Sequence, residues 1–375
     1  MSPDEFLRLA AFGAPARAPG AFDQWSRARG PDALDPRELR LLAPVYENLR
    51  RAGIADVEIA PVVKQVAQST LIATHLVLRD ATAAVERLAA DGFDALLLKG
   101  AALVAGGYCT AAARPMSDFD LLVGASQAVP VALVLEAAGW RPDAPVDAAS
   151  IGFRHAMRFK QGRRSCDLHW WALWDSRDDA ADERFRAGAE IASWHGVEVR
   201  ILRPEHQLAQ IVLHGTRTCN TLASHWVGDA LAVLRTRGDE FDWDLFGREV
   251  EARGFSHPVS EALAYLVDAF HAPVPAAVID PSRSKPPSRR RRRLHSPRPG
   301  RCPNERIAFL EALLDLALAA RTPQRTRLLW LLVNLQYAFG APSLARLPAA
   351  MIRRGAHALA RQRRGAKRTS TISSA

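Results

Sequence analysis

The sequence predicts an α+β fold in which a core of short strands and helices is followed by helices alone. Between Phe93 and Arg203, short apolar runs with glycine or proline at their ends are separated by helical patterns. After Pro204 only helical periodicity recurs. The chain has 375 residues, of which 48% are hydrophobic and 24% charged, which is sufficient for such a core and an additional helical domain.

The N-terminal part is expected to be a leader followed by two helices. Residues 1–34 are rich in Ala, Pro, Gly and Arg and predict a loose or partly helical leader. Helical spacing begins at Asp35, and Pro36 suits a first helical turn. Pro61 opens a longer helical pattern that ends at Gly92, as expected of a helix C-terminus.

Five segments between residues 93 and 204 are typical of strands, because each is short, apolar or alternating, and bounded by turn residues. They are residues 93–100, 116–124, 196–204 and the two halves of 153–173, which turn at Gln161-Gly162. A small-residue helix and a loop are predicted over 101–115, and a further helix over 126–140. With the helices that precede them, these elements predict an α/β core over residues 35–203.

The helical part is predicted to begin at Pro204. Amphipathic patterns punctuated by glycine or proline cover residues 205–218, 223–238, 242–254 and 256–270. We therefore expect a helical domain over 204–279, a basic Pro/Arg-rich loop over 280–303, and C-terminal helices with a basic tail over 304–375.

The positive charge of the chain lies in two basic segments. The net charge is +10, but residues 283–301 carry nine Lys and Arg, residues 353–368 carry seven, and neither segment contains an acid. Without these sixteen charges the rest of the chain would have a net charge of −6. A run such as 283–301 is typical of a solvated loop. The alternative is a weak contact with nucleic acid or another polyanion, which would carry no sequence recognition.

Three features predict a cytoplasmic protein. No apolar run reaches the roughly 18 residues that cross a bilayer, so no membrane partner is expected. The N-terminus lacks the basic region followed by an apolar region that marks a signal peptide. The cysteines are too scattered for a disulfide framework or a zinc site; they are Cys109, Cys166, Cys219 and Cys302.

Asp118 and Asp120 are the main candidates for chemistry. Side chains two apart on a strand point to the same face, so the predicted strand brings both carboxylates together. Two neighbouring acids repel each other unless a cation lies between them. Paired carboxylates are typical ligands of Mg²⁺ or Mn²⁺, with substrate phosphates completing the coordination.

A second D-x-D triplet in the chain shows that the motif by itself does not indicate a metal site. Asp242-Trp243-Asp244 lies between two helical segments, where acids are typical of the helix N-cap and first turn. We therefore predict a structural role for this triplet.

Several residues around the first triplet strengthen its interpretation. Lys99 and Gly100 end one predicted strand and begin a helix, where backbone N–H groups and a lysine could hold a phosphate chain. Arg114 precedes the triplet and could pair with phosphate oxygens. Asp167, on a later predicted strand, could supply a third carboxylate. His169 shares its face and could orient Asp167 or contact substrate, or be a half-buried structural histidine.

The run LLLKGAAL, the later RPMSDFDLLV and the segment DLHWWAL resemble the polymerase-β-like nucleotidyltransferase superfamily, and in particular the bacterial uncharacterised nucleotidyltransferase family. The resemblance extends over residues 35–275 and includes LRPEHQLAQIVLHG and FDWDLF. It implies a polymerase-β-like nucleotidyltransferase core, a short mixed sheet with helices, plus a C-terminal helical domain.

The resemblance also implies roles for individual residues. Asp118 and Asp120 match the acidic pair, Asp167 matches the third acid, and Gly100 matches the glycine of the phosphate turn. Superfamily members commonly have Gly-Gly or Gly-Ser at this turn, whereas this chain has Lys99-Gly100-Ala101-Ala102. The implied ligands are two Mg²⁺ or Mn²⁺ ions, a nucleoside triphosphate (NTP) such as ATP, and an unidentified acceptor. Asp167 is the candidate to assist deprotonation of the acceptor.

Two other functions stay open on the sequence. A sugar-nucleotide glycosyltransferase also uses a D-x-D motif with Mn²⁺, but its fold needs a βαβ region before the motif, where this chain is helical. A degenerate fold that binds nucleic acid or protein without catalysis is the third possibility, and the retention of Asp118, Asp120 and Asp167 argues against it.

Overall fold

The computed structural model of the chain describes residues 1–29, 34–174, 179–217, 225–280, 331–332, 335–336, 341 and 343–353. It confirms the α+β fold, since the strands within these ranges form one mixed seven-stranded sheet surrounded by helices. The strands are β1 (Leu96–Leu98), β2 (Phe119–Leu122), β3 (Arg141–Pro142), β4 (Ala156–Gln161), β5 (Arg164–His169), β6 (Glu190–Trp194) and β7 (Val197–Ile201).

The order of the strands in the sheet is β3-β4-β5-β2-β1-β7-β6. Strand β2 runs antiparallel to β1 and parallel to β5, and β1 runs parallel to β7. The short central strands β1 and β2 are buried along their whole length, as expected when helices cover both faces of a sheet. The centre of the sheet therefore consists of β5, β2 and β1 side by side.

Two tight hairpins join neighbouring strands. Gly162, with φ of +62°, follows β4 and begins the two-residue turn into β5. The turn thus lies one residue later than predicted. His195 and Gly196 both have positive φ and connect β6 to β7. The sequence did not predict β6, because this edge strand has no fully buried residue and pairs with β7 through its backbone.

The helices predicted from Asp35 to Ala90 and from Pro204 to Phe270 are present with small changes at their ends. The helices are α1 (Pro3–Phe12), α2 (Ala18–Arg29), α3 (Pro36–Arg51), α4 (Pro61–Ala90), α5 (Lys99–Ala105), α6 (Ala128–Ala137), α7 (Ala148–Phe153), α8 (Asp179–Ala187), α9 (Pro204–Gly215), α10 (His225–Arg237), α11 (Trp243–Ala252), α12 (Ser256–Phe270) and α13 (Ala276–Ile279). None of the helices in the described part of the chain is long and apolar enough to cross a bilayer.

The N-terminal segment, expected to be a loose or partly helical leader over 1–34, forms the helices α1 and α2 within residues 1–29. Helices α1 and α2 pack on α3, where Leu7, Trp25 and Leu42 are buried in one cluster. The many prolines and alanines of this segment leave no clear apolar periodicity in the sequence, although both residue types are compatible with helices here. Pro3 begins α1, a position at which proline favours a helix, and alanine has the highest helix propensity.

The predicted boundary at Arg203-Pro204 is a change from strands to helices within one compact unit that spans residues 1–305. Helix α9 follows β7 directly, and its residues Leu208, Val212 and Leu213 are buried in the same hydrophobic core as the sheet. The helices after Pro204 therefore complete the core that surrounds the sheet.

A second compact unit spans residues 306–375. In its described part, Leu332, Leu335, Ala341, Leu347 and Ala350 pack together. The basic segment 283–301 and most of the predicted helices and basic tail beyond residue 304 lie outside the described residues.

A buried ion pair anchors the segment that follows β5. Both Asp182 on α8 and the Arg253 side chain are fully buried, with Arg253 Nη2 donating to Asp182 Oδ1 over 2.7 Å. Asp182 Oδ2 also accepts the backbone N–H of Ala172 at 2.6 Å. Breaking a buried pair of this kind costs about 3–5 kcal/mol, so the end of β5 is held firmly against α8 and α11.

We predict that Gly215→Ala destabilises the protein by about 1–3 kcal/mol or more, because α9 and α10 touch at this position. A Cβ atom at Gly215 would lie 2.1 Å from Cβ of Trp226, which no side-chain rotation can relieve. Thermal unfolding followed by circular dichroism measures the effect.

Gly247→Ala on α11 is the matched control, since no heavy atom lies within 4 Å of a Cβ at that position. It should stabilise the protein by about 0.5–1 kcal/mol through the higher helix propensity of alanine. Equal changes of melting temperature in the two variants would contradict the close packing of α9 on α10.

Candidate active site

The three central strands place several charged side chains at one position of the sheet. Asp120 on β2 is paired with Leu98 on β1 and with Asp167 on β5. Lys99 directly follows Leu98. His169 lies two residues after Asp167 on β5, so both side chains are on the same face of the sheet. The register of β1, β2 and β5 therefore brings a lysine, two carboxylates and an imidazole together.

Asp120, Asp167 and His169 form a group with the geometry of a metal site. One potential ligand atom from each lies within 4.8 Å of the others. Asp120 and His169 are buried, and Asp167 is half-buried. Asp118, which precedes β2, lies beside this group. We call Asp118, Asp120, Asp167 and His169 the carboxylate site.

The electrostatic surroundings of Asp118 show the repulsion within the site. Burial, followed by the charges of Asp120 and Asp167, raises the pKa of the Asp118 carboxyl. Ser117 Oγ lies 3.5 Å from Asp118 Oδ1, so its hydrogen bond is long. Without a further cation, the Asp118 carboxylate is thus held in an unfavourable environment.

Neighbouring groups compensate the negative charge of Asp120, whereas the charge of Asp118 is not compensated. Burial by itself would raise the pKa of the Asp120 carboxyl, but the charge of Lys99 and the hydrogen bond with His169 outweigh burial and lower it. Lys99 Nζ forms a close ion pair with Asp120 Oδ1, and His169 Nε2 lies 3.0 Å from the same oxygen. Asp120 therefore stays ionised and attracts cations.

The backbone at Lys99 is in the left-handed region, with φ of +51°, which is uncommon for a residue with a side chain. Such a conformation costs about 1–3 kcal/mol and is retained where the surrounding structure enforces it. Here the turn from β1 into α5 directs the ammonium group of Lys99 to Asp120. The strained backbone conformation therefore occurs at the lysine that contacts Asp120.

Gly100 is the next residue and is closely packed. A Cβ atom at this position would lie 2.6 Å from Met116 Sδ and 3.5 Å from Arg114 Cζ. Glycine therefore allows the segment before β2 to approach the start of α5. This contact positions the turn that the resemblance assigns to phosphate binding.

Arg114 was predicted to contact phosphate, but the structure pairs it with Asp229 on α10. Arg114 Nε and Nη2 donate to the two Asp229 carboxylate oxygens over 2.7 and 2.9 Å, and Nη1 donates to the Pro115 carbonyl over 2.7 Å. All three guanidinium nitrogens are engaged, because a buried arginine requires a counter-charge. In this structure Arg114 thus joins the carboxylate region to α10.

Two further residues complete the surroundings of the carboxylate site. Arg158 Nε donates to Asp167 Oδ1 over 3.2 Å across the β4–β5 pair. Burial, with the charges of Lys99 and Arg217, lowers the pKa of His214 on α9 well below its usual value. In the sequence His214 is a polar residue in the apolar helical pattern LAQIVLHG, and no local signal places it near Lys99.

His169 contacts Asp120 directly, which the sequence did not indicate. Its side chain is only 4% exposed, and its Nδ1 has no hydrogen-bond partner among the described residues. The predicted metal set was Asp118, Asp120 and Asp167, whereas the close group in the structure is Asp120, Asp167 and His169. The alternation of β5 predicted a shared face for Asp167 and His169, but the contact with Asp120 depends on pairing with β2.

The second acidic triplet is structural, as expected. Asp242 is the N-cap of α11, where its Oδ1 accepts the backbone N–H of Leu245 at 2.8 Å. Asp244 is exposed in the first turn of the same helix. The two triplets differ in their positions, one at a buried strand and the other at a helix start.

Comparison with known proteins gives a family match. A family model described as an uncharacterised nucleotidyltransferase matches residues 37–271, which include the whole sheet and the carboxylate site. No curated protein matches the chain.

We predict that Lys99→Met destabilises the metal-free protein, because Asp120 is left buried without its ammonium partner. The loss should stay below the 3–5 kcal/mol of a fully buried pair, since the Lys99 side chain is 22% exposed. Mn²⁺ should raise the melting temperature of this variant more than that of the wild type by replacing the lost charge. Lys160→Met, which breaks an exposed pair with Asp143, is the control and should cost less than about 1 kcal/mol. A Mn²⁺ effect equal in all three proteins would argue against a cation site at Asp120.

We predict that Asp118→Asn stabilises the protein at neutral pH in the presence of a chelator. The pKa of Asp118 is raised in the folded state, so its ionisation costs stability as the pH rises through that pKa. The gain from the substitution should disappear below pH 3.8, the ordinary pKa, where the carboxyl is protonated in both states. Asp244→Asn should show the opposite sign, with a loss of about 0.3–1 kcal/mol at the start of α11. Destabilisation by Asp118→Asn at pH 7 would contradict the repulsion described above.

Proposed function

This chain belongs to the uncharacterised nucleotidyltransferase family, and we propose that it transfers a nucleoside monophosphate group from an NTP to an acceptor with the help of a divalent ion. The observation that carries this proposal is the group formed by Asp120, Asp167 and His169, whose ligand atoms lie within 4.8 Å of one another. The family supports nucleotidyl transfer as the general reaction; the metal, the nucleotide and the acceptor are the parts that we propose.

The residues of the carboxylate site fit Mg²⁺ or Mn²⁺. Carboxylate oxygens are the preferred protein ligands of both ions, and an imidazole is compatible with Mn²⁺. The close ion pair between Lys99 and Asp120 supplies positive charge where a metal ion would otherwise be needed. Asp118, Asp120, Asp167 and His169 are therefore the residues that would hold the metal.

When bound, a divalent ion in such a site would neutralise charge on the triphosphate and on the oxygen that attacks it. Phosphate binding and proton transfer would be carried out by side chains. Lys99, once released from Asp120, is positioned to bind phosphate oxygens at the turn after β1. Asp167 is the candidate to accept the proton of the acceptor hydroxyl, and Arg158 Nε donates a hydrogen bond to this carboxylate.

Lys99 compensates for the missing serine of the phosphate turn in this proposal. Gly-Gly or Gly-Ser turns bind phosphate through backbone N–H groups and a hydroxyl, whereas Ala101 and Ala102 are buried and offer no side-chain donor. The ammonium group of Lys99 reaches the same side of the sheet as Asp120. A charged donor forms stronger hydrogen bonds with phosphate than a hydroxyl does.

The glycosyltransferase alternative receives no support from the fold. Such an enzyme needs a βαβ region before its D-x-D motif, and the described residues before Leu96 are helices and connecting turns. The non-catalytic alternative rested on the basic segment 283–301, which lies outside the described residues.

Transfer of label from each of four α-³²P-labelled NTPs to a filtered small-molecule cell extract, with Mg²⁺ or Mn²⁺, tests the proposal. We predict metal-dependent labelling of a small molecule and release of pyrophosphate. Asp120→Asn should reduce the rate by roughly 100-fold or more, because loss of a metal ligand removes about 3 kcal/mol of transition-state stabilisation.

Asp244→Asn is the matched control, because Asp244 belongs to the structural triplet and is exposed. Its rate should equal that of the wild type. Absence of labelling with every NTP, or equal rates in the two variants, would contradict the proposed reaction.

A further inference from the structure

A cavity of about 330 Å³ lies between the N-terminal helices, α10 and the segment that follows α5. Its wall includes Phe12 of α1, Arg51 of α3, Tyr108, and both Arg235 and Asp229 of α10. This volume is at the lower end of the roughly 300–1,000 Å³ of small-molecule sites. A ligand of a few tens of atoms at most would therefore fill it.

Positive charge without a counter-charge is the main feature of this cavity. Arg51 and Arg235 are both exposed at the wall, and partial desolvation together with the charge of Arg51 lowers the pKa of Arg235, so the two guanidinium groups are close enough to repel each other. Arg235 donates to the carbonyls of Phe12 and Phe270, which are neutral acceptors. Among the described residues, no acid forms an ion pair with Arg51 or Arg235.

The acidic groups of the wall do not cancel this charge. Asp229 is fully engaged by Arg114 through two hydrogen bonds. Glu47 lines the cavity one turn before Arg51 on α3, but the two form no ion pair. The positive charge of Arg51 and Arg235 therefore exceeds the negative charge of the wall that is not already paired. An anionic group would find favourable contacts there.

An unsatisfied imidazole adds to the polar character of the wall. His225 lines the cavity and is only 7% exposed, and its Nε2 has no hydrogen-bond partner within the described ranges. Burial lowers the pKa of His225 well below its usual value, so the ring is neutral and can donate or accept one hydrogen bond. Burial also raises the pKa of the nearby Cys109 thiol to about 12, which excludes a reactive thiolate.

The cavity has an apolar side that results from close helix packing. A Cβ atom at Gly228 would lie 2.4 Å from the ring of Phe12, so only glycine lets α1 approach α10 here. Leu231 and Ala232 continue this surface. The wall of α1 precedes residues 37–271, the segment that the family model matches. The cavity is thus shaped partly by residues outside the matched segment.

Arg114 connects the cavity to the carboxylate site. It lines the cavity, its Cζ is 3.5 Å from a Cβ atom placed at Gly100, and Asp120 adds to the charges that act on it. Arg114 is therefore shared by the cavity wall and the turn that begins α5. A molecule in the cavity would therefore contact a residue that also packs against the turn assigned to the triphosphate.

We propose that this cavity binds a small molecule that carries a carboxylate or phosphate group between Arg51 and Arg235, and that this molecule is the acceptor of the reaction. The acceptor role rests on the proposed function, whereas the anion site does not. The apolar side formed by Phe12 and Leu231 would contact the uncharged part of the ligand, and His225 would supply one hydrogen bond.

Binding of inorganic phosphate and of acetate, measured by thermal shift at constant ionic strength without metal or NTP, tests the anion site. We expect a saturable rise in melting temperature for the wild type and for Arg248→Gln, whose side chain is exposed on α11. Arg51→Gln, an exposed position, should weaken binding by about tenfold, the effect of losing one charge-assisted hydrogen bond. Arg235→Lys should weaken it as well, and it keeps a donor for the carbonyls of Phe12 and Phe270. A stronger response to phosphate or to acetate identifies the anionic group.

Equal binding by the wild type and Arg51→Gln, or no saturable response to either anion, would overturn the anion site and leave the proposed function untouched. The labelling assay with cell extract then tests the acceptor role. Arg51→Gln should be slow at low extract concentration and approach the wild-type rate at high concentration, while Arg248→Gln follows the wild type throughout. An unchanged dependence on extract would refute the acceptor role, and absence of any labelling would refute the proposed function instead.

Discussion

Repulsion among three neighbouring carboxylates is the main constraint on the residues at the centre of the sheet. Asp118, Asp120 and Asp167 are held together by the pairing of β2 with β5, and burial makes their charges costly. The chain offsets this cost unevenly. Lys99 and His169 compensate Asp120, Arg158 compensates Asp167, and Asp118 is left with a raised pKa. For stability alone, loss of the Asp118 charge would be favourable, whereas a cation bound beside these acids would offset their repulsion.

The rest of the fold holds this arrangement in place. The central strands β1 and β2 are short but fully buried, so their register cannot slip without moving apolar side chains out of the core. Gly100 lets the segment before β2 pack against the start of α5, and the Asp182–Arg253 pair fixes the chain beyond β5. Arg114, paired with Asp229, transmits the position of α10 to the same turn. Contacts of α5, α8, α10 and the end of α11 therefore support one small group of polar residues.

Much of this could be predicted from the sequence, and the failures have physical causes. Buried strands such as β1 are marked by short apolar runs and amphipathic helices such as α12 by a helical period, and the two D-x-D triplets were distinguished by their neighbours alone. Edge strand β6 and helices α1 and α2 were missed or underestimated, because backbone pairing and alanine-rich helices leave weak patterns. The contacts of His169 with Asp120 and of Arg114 with Asp229 join residues 49 and 115 positions apart, and no local pattern contains such information. The contact of His169 with Asp120 and the pairing of Arg114 with Asp229 thus became visible only in three dimensions.

The measurement that tests the central claim most directly is pulsed electron paramagnetic resonance of Mn²⁺ added to the protein. The imidazole nitrogen of a histidine ligand modulates the electron spin echo, whereas carboxylate oxygens do not. If Asp120, Asp167 and His169 hold the ion, the wild type gives nitrogen modulation, His169→Gln binds Mn²⁺ without it, and Asp120→Asn binds Mn²⁺ far more weakly. Bound Mn²⁺ without nitrogen modulation in the wild type, or with modulation that persists in His169→Gln, would contradict the account.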